Sequence, residues 1–443
     1  MKRSGLSNPD KHTGTPGQRT RVAIVGDGPA GCTLAALLAR KGIDVAVFAS
    51  GKRPSLVVGE SLIPAIIPVF RRLGIEDEVA AIGQRKPGGT FVWRADCPIE
   101  LSFDAIEGLL PAYAYNCPRP ALDEIIARCA RRSGARWIAE PAKVRPGDPA
   151  RGENEVVLEP ECLRAIPDWR SEQPDLLVDS SGRRRTLVRL LGIAADEGPR
   201  KDIAHFAHYD RWEHAAPPGQ IMIGRMACGG WSWRIPLKAS MSVGIVVPAD
   251  CARELGSSPA ERLERAIDLD PDLAATGRHR RRLSEVPTYN NYQLITHRGH
   301  GTGWAAAGDA FGFVDPMLSP GMWIAMRSGE MLADGIPQAP PPARDWESGL
   351  RQYERRMKAL LAAWQELVAF FYDGSIIASY YGGRQFMLKH RNPLVDRMEK
   401  HIQRNLAGMA CGALTERPYS RRLLRFICRH GHYGVARGEM AVG

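Results

Sequence analysis

The first fifty residues contain the feature that most restricts the fold. An apolar run, RVAIV at 21–25, is typical of a buried strand, and DVAVF at 44–48 is a second run of the same kind. Between them lie the turn GDGPAG and the segment CTLAALLARKG, which predicts a helix ending at Gly42. A strand, a glycine turn, a helix and a second strand within about 30 residues predict a parallel βαβ unit.

The turn of this unit carries three glycines at the spacing that binds dinucleotides. Gly26 allows the tight turn, Gly28 lets a pyrophosphate approach the backbone, and Gly31 lets the helix pack on the strand. The helix N-terminus then faces the phosphates. The sequence therefore predicts a dinucleotide site at the start of the chain.

The acid that holds the adenosine ribose in such units is missing. Ala49 and Ser50 stand at the end of the second strand, and Lys52 and Arg53 follow them. Another part of the chain must recognise the ribose, and we expect the adenosine half to bind less tightly.

The remaining pattern predicts an α/β protein with a Rossmann-type domain, an inserted β-rich substrate domain and a helical C-terminal region. Residues 1–20 are polar and are expected to form a flexible tail ahead of a core at 21–335. Strands near 90–93, 203–210, 219–225 and 241–247 predict an inserted sheet region at about 85–115 and 200–300, with helices at 119–132 and 259–268. A proline-rich linker at 336–346 is followed by a basic helical region at 347–443. Within this region, helical patterns occur at 347–371 and again from 393.

Composition excludes several classes of protein. The 443 residues are 44% hydrophobic and 25% charged, as in globular proteins, and no apolar run is long enough to span a membrane. The nine cysteines are scattered without a C-x-x-C pair, which indicates no metal site and fits a reducing cytoplasm. Of the net charge of +11, +8 lies in residues 384–443, where no nucleic-acid motif accompanies it.

The stretch GGWSWRIPL at 229–237 is open to two interpretations. On a strand, Trp231 and Trp233 point to one face, and Pro236 favours a sheet edge or the end of the strand. The two indoles either fill a core or wall a site, and this pattern alone does not decide between them.

Further motifs carry a resemblance to known flavoproteins. The segment GWAAAGDAFGFVDPMLSPGMWIAM at 303–326 resembles the FAD-dependent monooxygenase superfamily, where the acid of Gly308-Asp309-Ala310 lies against the flavin ribityl chain. RPALDEII resembles the helix start of that superfamily, which implies that Arg119 lies near the cofactor. The resemblance therefore implies FAD rather than NAD.

Three segments resemble the flavin-dependent halogenases, most closely the branch that acts on phenols and pyrroles. These are VGESLIPAIIPVFRRLGI at 58–75, WSWRIP at 231–236 and FVDPMLSPGM at 313–322. The segment DIAHFAHYDRW at 202–212 resembles the phenol and pyrrole branch most closely. In that family the two indoles wall a passage beside the flavin, which favours the second interpretation of GGWSWRIPL. The implied cofactor-binding residues are Gly26, Gly28, Ala30, Gly31, Glu60, Ser61, Arg119, Gly308, Asp309 and Pro316, and the implied wall is Trp231, Trp233, Ile235 and Pro236.

The resemblance also implies the reaction and a catalytic lysine. Reduced FAD and oxygen oxidise a halide to hypohalous acid, which a lysine hydrogen-bonds or captures as a haloamine and presents to an electron-rich aromatic ring. Three residues separate Lys86 from TFVW, which is the family's spacing, although Arg85 is a close neighbour. A desolvated lysine suits this task because burial lowers its pKa.

The loop that holds halide departs from the family pattern at two positions. Leu318 stands where tryptophan-specific members carry a glutamate, which argues against free tryptophan as substrate. Pro320 lacks a backbone N–H, which leaves Gly321 and Met322 as the halide donors. We expect weaker halide binding or a preference for bromide over chloride.

Partners and alternatives follow from the same patterns. The family takes reduced FAD from a separate flavin reductase, and its phenol and pyrrole branch often uses acyl groups on small acidic carrier proteins. Arg421, Arg422 and Arg425 are the predicted contacts for such a carrier. The alternatives are a flavin hydroxylase or dehydrogenase that does not halogenate, and a flavin-bound partner of a carrier protein without turnover.

Overall fold

A computed structural model describes residues 19–51, 56–148, 155–290, 292–338 and 343–442, without the side chains of 343–345. Most of the predicted tail, Lys52, Arg53 and part of the proline-rich linker lie outside the described residues. Thr20 lies inside them and is fully buried, with its hydroxyl donating to the carbonyl of Gln338 at 3.2 Å.

The strands and helices are numbered in chain order. The strands are β1 (Arg21–Val25), β2 (Asp44–Phe48), β3 (Gln84–Lys86), β4 (Gly88–Val92), β5 (Ile99–Ser102), β6 (Ala114–Asn116), β7 (Arg136–Ile138), β8 (Val144–Pro146), β9 (Val156–Leu158), β10 (Leu176–Asp179), β11 (Ala195–Glu197), β12 (Asp202–Asp210), β13 (Ile221–Arg225), β14 (Trp231–Pro236), β15 (Met241–Pro248), β16 (Arg281–Arg282), β17 (Thr288–Asn290), β18 (Leu294–Thr296), β19 (His300–Gly301), β20 (Trp304–Ala306) and β21 (Gly312–Phe313). The helices are α1 (Pro29–Arg40), α2 (Ile67–Leu73), α3 (Glu76–Ile82), α4 (Arg119–Arg132), α5 (Pro160–Arg164), α6 (Thr186–Leu190), α7 (Ala249–Leu255), α8 (Pro259–Leu269), α9 (Pro271–Thr276), α10 (Gly321–Gly335), α11 (Ala343–Tyr372), α12 (Ser375–His390), α13 (Pro393–Ala410) and α14 (Pro418–His430).

The first sheet contains the predicted βαβ unit. Its strand order is β19-β20-β10-β1-β2-β7, and β1 pairs in parallel with both β2 and β10. Strands β1 and β2 are apolar after their first residues because helices cover the sheet, and α1 packs against α4 and α10. The predicted strands are confirmed at their bounds, while the helix ends at Arg40 rather than Gly42.

The second sheet confirms the predicted β-rich region and decides between the two positions predicted for Pro236. Its order is β16-β12-β15-β14-β13-β4-β5, with β17 also paired to β12. Strand β14 lies in the middle, antiparallel to β13 and β15, so Pro236 is at the end of a central strand and not at an edge. The region from 200 to 300 also contains helices: α8 confirms the helix predicted at 259–268, α7 and α8 pack over this sheet, and α9 packs against α8.

Four helices follow the linker. The pattern at 347–371 corresponds to α11 and the pattern from 393 corresponds to α13 and α14, whereas α12 lies between the two predicted patterns. Among the described residues, no single helix is long and apolar enough to cross a membrane. One bent pair, Trp346–Tyr372 and Ser375–His390 at 62°, reaches that length and composition only when the two helices are taken together.

A partly buried carboxylate on α11 joins this helix to α14. Glu366 accepts hydrogen bonds from the guanidinium of Arg421 at 2.7 Å and from that of Arg425. Burial by itself would raise the pKa of Glu366, but the hydrogen bonds from Arg425 and Arg421 outweigh it and hold the pKa below its ordinary value. Two of the three arginines predicted to meet a carrier protein are therefore engaged within the chain.

Replacing Glu366 should loosen this attachment. We expect Glu366→Gln to lower the free energy of unfolding at neutral pH by about 1 kcal/mol. Since the folded-state pKa is depressed, this contribution is present above the ordinary value of 4.5 and is lost as pH falls through the folded value. Thermal unfolding from neutral to acid pH measures it, with Glu347→Gln, in an exposed pair on the same helix, as the control. Equal stability of Glu366→Gln and the parent at neutral pH would contradict the assignment.

Candidate active site

A cavity of about 300 Å³ lies between the two sheets and brings most of the predicted residues together. Its lining comes from the glycine turn, the segment before α2, β12–β15 and the loop before α10. Of the predicted residues, it is lined by Gly28, Ala30, Glu60, Ser61, Arg119, Trp231, Trp233, Ile235, Gly308, Asp309, Pro316, Gly321 and Met322. Gly26, Gly31, Lys86 and Pro236 are not part of this lining.

The three glycines of the turn differ in the space that surrounds their Cα atoms. A Cβ on Gly31 would lie 2.4 Å from the carbonyl oxygen of Gly26 and from the hydroxyl of Ser180. Gly26 has φ +109°, and a Cβ there would lie 2.5 Å from the carbonyl of Ser180. A Cβ on Gly28 would meet nothing within 4 Å, so this backbone faces open space where a pyrophosphate would approach.

The second glycine-acid motif meets the first across the cavity. A Cβ on Gly308 would lie 2.8 Å from the Cβ of Ala30, so the two motifs are in contact. Burial raises the pKa of Asp309 to about 6, against the opposing charges of Arg119 and Arg183. The hydroxyl of Tyr292 also lines the cavity and has no partner among the described residues. Open backbone, a carboxyl group and an unsatisfied hydroxyl fit a dinucleotide with a polar chain between its rings.

The segment before α2 is fixed by polar contacts on both sides. The carboxylate of Glu60, 1% exposed, lies 2.8 Å from Nε2 of His208 on β12. The guanidinium of Arg119 donates to the carbonyl of Val58 at 2.6 Å and to Asp123. These contacts anchor one wall of the cavity to the second sheet and to α4.

The two tryptophans face the cavity together, as the period of two predicted. Their ring centroids are 5.7 Å apart, and Phe206 lies 5.7 Å from Trp233 and 6.0 Å from Tyr289. All four rings line the cavity. They form a continuous aromatic wall that is also well packed, so both interpretations of this stretch hold at once.

A chain of hydrogen bonds connects this wall to the loop before α10. Nε1 of Trp231 donates to the hydroxyl of Tyr372 at 3.0 Å, and that hydroxyl donates to Asp315 at 2.9 Å. The same carboxylate accepts from the backbone N–H of Met317 at 2.8 Å and from the amide of Gln293 at 2.7 Å. Burial, followed by the charge of Asp315, raises the pKa of Tyr372 well above its ordinary value, which keeps the phenol a donor.

The loop held in this way is backbone-strained where halide is predicted to bind. Leu318 and Ser319 have φ of +66° and +60°, and non-glycine residues rarely adopt this region. Pro320 precedes the first turn of α10, so the N–H groups of Gly321 and Met322 open that helix. Both residues line the cavity, and their role as halide donors stays a prediction.

Lys86 lies behind the cavity in a second pocket of about 20 Å³. Its amine is buried and donates to the hydroxyl of Ser61 at 2.8 Å and to the carbonyl of Leu62 at 2.9 Å. Burial lowers its pKa to about 7. The two spaces share three apolar residues, which form the wall between them: Leu318, Ile221 and Ile223.

Arg85, the neighbour that could be confused with Lys86, is exposed and stacks over the ring of Tyr113.

Sequence reasoning missed several residues of the site. Tyr289 and Tyr292 are single aromatics without a motif, and Phe206 and His208 lie in the segment at 202–212, which was recognised without a role for either residue. The alternation of β12 could have placed Phe206 with the cavity and His208 on the same side. Tyr372 and Asp315 are 57 residues apart and carry no local signal.

Comparisons with known proteins identify the family of the chain. A model of the FAD binding domain matches residues 19–145, and a model of the tryptophan halogenase family matches residues 110–381. The chain is 29% identical to a tryptophan 2-halogenase from Chondromyces crocatus, over 80% of this chain and 68% of the relative. It is 26% identical to a 1H-pyrrole-2-carbonyl-(peptidyl-carrier protein) brominase from Pseudoalteromonas luteoviolacea, over 81% of this chain and 87% of the relative. The solved structure of the flavin-dependent brominase Bmp2 has the same fold, with a TM-score of 0.72 at 22% identity over 93% of this chain and 98% of that chain.

The fold and the glycine motifs define an FAD-binding flavoprotein. Because the second family model covers more than half of its residues, the chain belongs to the tryptophan halogenase family. It is an FAD-dependent halogenase, an oxidoreductase that uses FAD and a halide, as the sequence resemblance implied. Neither a non-halogenating flavoenzyme nor a flavin-bound protein without turnover is favoured by these findings.

The two glycine positions should respond differently to a methyl group. Gly28→Ala should leave thermal unfolding of the FAD-free protein unchanged but weaken FAD binding by about tenfold or more, because the methyl fills the approach of the pyrophosphate. Gly31→Ala should lower the free energy of unfolding by about 1–3 kcal/mol, because the added carbon pushes α1 away from β1. Flavin fluorescence titration and thermal unfolding separate the two effects. Unchanged FAD affinity in Gly28→Ala would contradict this placement of the cofactor.

Proposed function

We propose that this halogenase acts on an electron-rich ring of the phenol or pyrrole type and that Lys86 delivers the halogen to it. The observation that carries the proposal is the position of the Lys86 amine, in a separate pocket across a thin apolar wall from the FAD cavity. This arrangement separates the place where halide is oxidised from the place where the ring reacts, and only a small oxidant would pass between them.

The residues that would hold FAD are those that line the cavity on its two glycine motifs. Gly28 and the start of α1 would meet the pyrophosphate, while Asp309 and the segment at Glu60 and Ser61 would lie along the rest of the cofactor. Bound reduced FAD, with oxygen, would supply the two-electron oxidation that converts halide to hypohalous acid. The chain's own task is to hold halide near the cavity and to exclude water from the oxidant's path.

Halide would bind at the start of α10. The N–H groups of Gly321 and Met322 point from the positive end of a fifteen-residue helix, which attracts anions. Because Pro320 has no N–H, this loop donates one hydrogen bond fewer to the halide. The cost of removing water from the ion is then a larger part of the free energy of binding. We expect bromide to be preferred over chloride, because bromide loses its water more easily.

The buried amine of Lys86 is arranged to act as a nucleophile. A neutral amine has two hydrogens, and the acceptors at Ser61 and Leu62 engage two hydrogens. The lone pair then remains for hypohalous acid: the N–X bond forms, the O–X bond breaks, and water leaves with the amine proton. Attack by the aromatic ring on the halogen restores the amine after the ring loses a proton.

The absence of a carboxylate at Leu318 and the similarity to a pyrrole halogenase support the proposed substrate class. Leu318 brings no carboxylate to the loop, and the Lys86 pocket is lined by Phe91, Leu101 and Phe103. At about 20 Å³ the pocket holds roughly one water-sized molecule, so an aromatic ring requires one wall to move. The similarity to a brominase that acts on a pyrrole-2-carbonyl group on a peptidyl carrier protein supports a ring tethered in the same way.

The supply of reduced FAD and the compartment complete the proposal. A separate flavin reductase would provide the reduced cofactor, because the sequence offers one dinucleotide fingerprint, at Gly26–Gly31. All nine cysteines are free thiols, which supports a reducing compartment and a cytoplasmic location.

Replacing the lysine should separate the two half-reactions. Lys86→Met keeps a flexible side chain of similar length but removes the nitrogen, so we expect halogenated product to fall by about 10²-fold or more. Oxygen consumption with reduced FAD should continue, because the amine acts after the flavin. Mass spectrometry of a pyrrole-2-carboxylate thioester, together with an oxygen electrode, measures both.

The matched control is the adjacent position. Arg85→Gln removes an exposed cation one residue away and should leave both rates close to those of the parent. A Lys86→Met protein that halogenates at the parent rate would show that another group delivers the halogen.

A further inference from the structure

The end of the chain exposes apolar surface that the reaction does not use. Of the nine large apolar side chains that the described residues leave exposed, six lie after residue 384. The most exposed of these six are Leu388 at 80%, Leu394 at 72% and Phe426 at 64%. Exposed apolar groups concentrated in one segment are typical of an interaction surface.

These groups form a stripe in which apolar and basic side chains alternate. On α13 the stripe contains Leu394, Arg397 and Met398, and on α14 it contains Tyr419, Arg422 and Phe426, all at helical spacings of three and four. The two parts meet where His401 lies 2.7 Å from the hydroxyl of Tyr419. We call these six residues the C-terminal face.

The cations of this face are available to a partner. Within the described part of the chain, neither Arg397 nor Arg422 forms an ion pair, whereas Arg421 and Arg425 are engaged by Glu366. Residues 384–443 carry a net +8. The face therefore presents positive charge beside apolar groups, and its complement is acidic with apolar groups of its own.

We propose that the C-terminal face docks the acidic carrier protein that holds the aromatic acyl group, an inference that rests on the proposed function. A membrane fits less well, because helices that lie on lipid keep basic and apolar residues on opposite faces, while here both share one face. A symmetric contact with a second copy would bring two positively charged faces together.

The face is also joined to the lysine pocket by one helix. Helix α13 runs from the face to Ala410, which lines the Lys86 pocket, and the next residue, Cys411, accepts a hydrogen bond from the N–H of Ala65 at 3.2 Å. At 1.5 Å per residue, Met398 and Ala410 are roughly 18 Å apart along the helix. A ring on a long, flexible thioester arm bridges such a span, whereas a free ring has no need of the face.

The test compares one ring in two forms. The parent and the double variant Arg397→Glu with Arg422→Glu are given pyrrole-2-carbonyl on an acidic peptidyl carrier protein, and the same acyl group as a small free thioester. We expect the double variant to lower kcat/KM for the carrier-bound form by about tenfold or more, mainly through KM, and to leave the free thioester unchanged. Rising salt should produce the same loss in the parent.

Two further variants sharpen the result. Arg145→Glu with Arg164→Glu reverses the same charge at exposed positions far along the chain and should leave both substrates unaffected. Met398→Ser with Phe426→Ser tests the apolar half of the face and should also weaken only the carrier-bound form. Thermal unfolding checks that each variant is folded.

Three outcomes would overturn the docking surface while leaving the halogenase itself intact. These are an unchanged kcat/KM for the carrier-bound form in the double variant, an equal loss for both forms, and a parent that halogenates the free thioester at least as fast as the loaded carrier. Binding of the parent to phosphatidylserine vesicles that the double variant loses, with carrier kinetics unchanged, would assign the face to a membrane instead. Failure of the parent to halogenate either form would count against the proposed function.

Discussion

The site depends on the hydrogen-bonded chain from Trp231 through Tyr372 to Asp315. Its members come from a central strand, the last turn of a long helix and the loop before α10, so it ties the second sheet and the C-terminal helices to the nucleotide-binding side. Asp315 is fully buried, and each of its oxygens accepts a hydrogen bond. Those bonds offset the cost of burying the carboxylate and hold Leu318 and Ser319 in a backbone region that costs of order 1–3 kcal/mol each.

The strained loop at Leu318 and Ser319 lies between the larger cavity and the Lys86 pocket. Leu318 lines both the larger cavity, where we propose that FAD binds, and the pocket of Lys86, while the start of α10 faces the larger cavity. The same few residues thus set where an anion would sit and how far the oxidant would travel. Lys86 owes its depressed pKa to burial behind this wall, so the wall that separates the two spaces also sets the protonation state of the proposed nucleophile.

Local patterns predicted much of the fold, and long-range contacts account for what they missed. The βαβ unit and both glycine motifs were readable because a few neighbouring residues determine them, and the shared face of Trp231 and Trp233 follows from strand periodicity. The burial of Lys86, the pairing of His208 with Glu60 and the role of Glu366 depend on segments far apart in sequence. For the same reason, charge counting alone selected Arg421 and Arg425, which the fold engages internally.

The most direct test of the central claim, that a neutral Lys86 amine carries the halogen, is the pH dependence of coupling. The quantity is halogenated product formed per oxygen consumed, measured from about pH 5 to about pH 9 with bromide and reduced FAD. The depressed pKa predicts a ratio that rises through an apparent pKa near 7 and then levels, because only the neutral amine has a free lone pair. Asp309, whose pKa is about 6, lines the larger cavity, so any effect of its titration on the ratio would come at a lower pH than that of Lys86. A ratio that is flat across this range, or that falls above pH 7, would contradict the account.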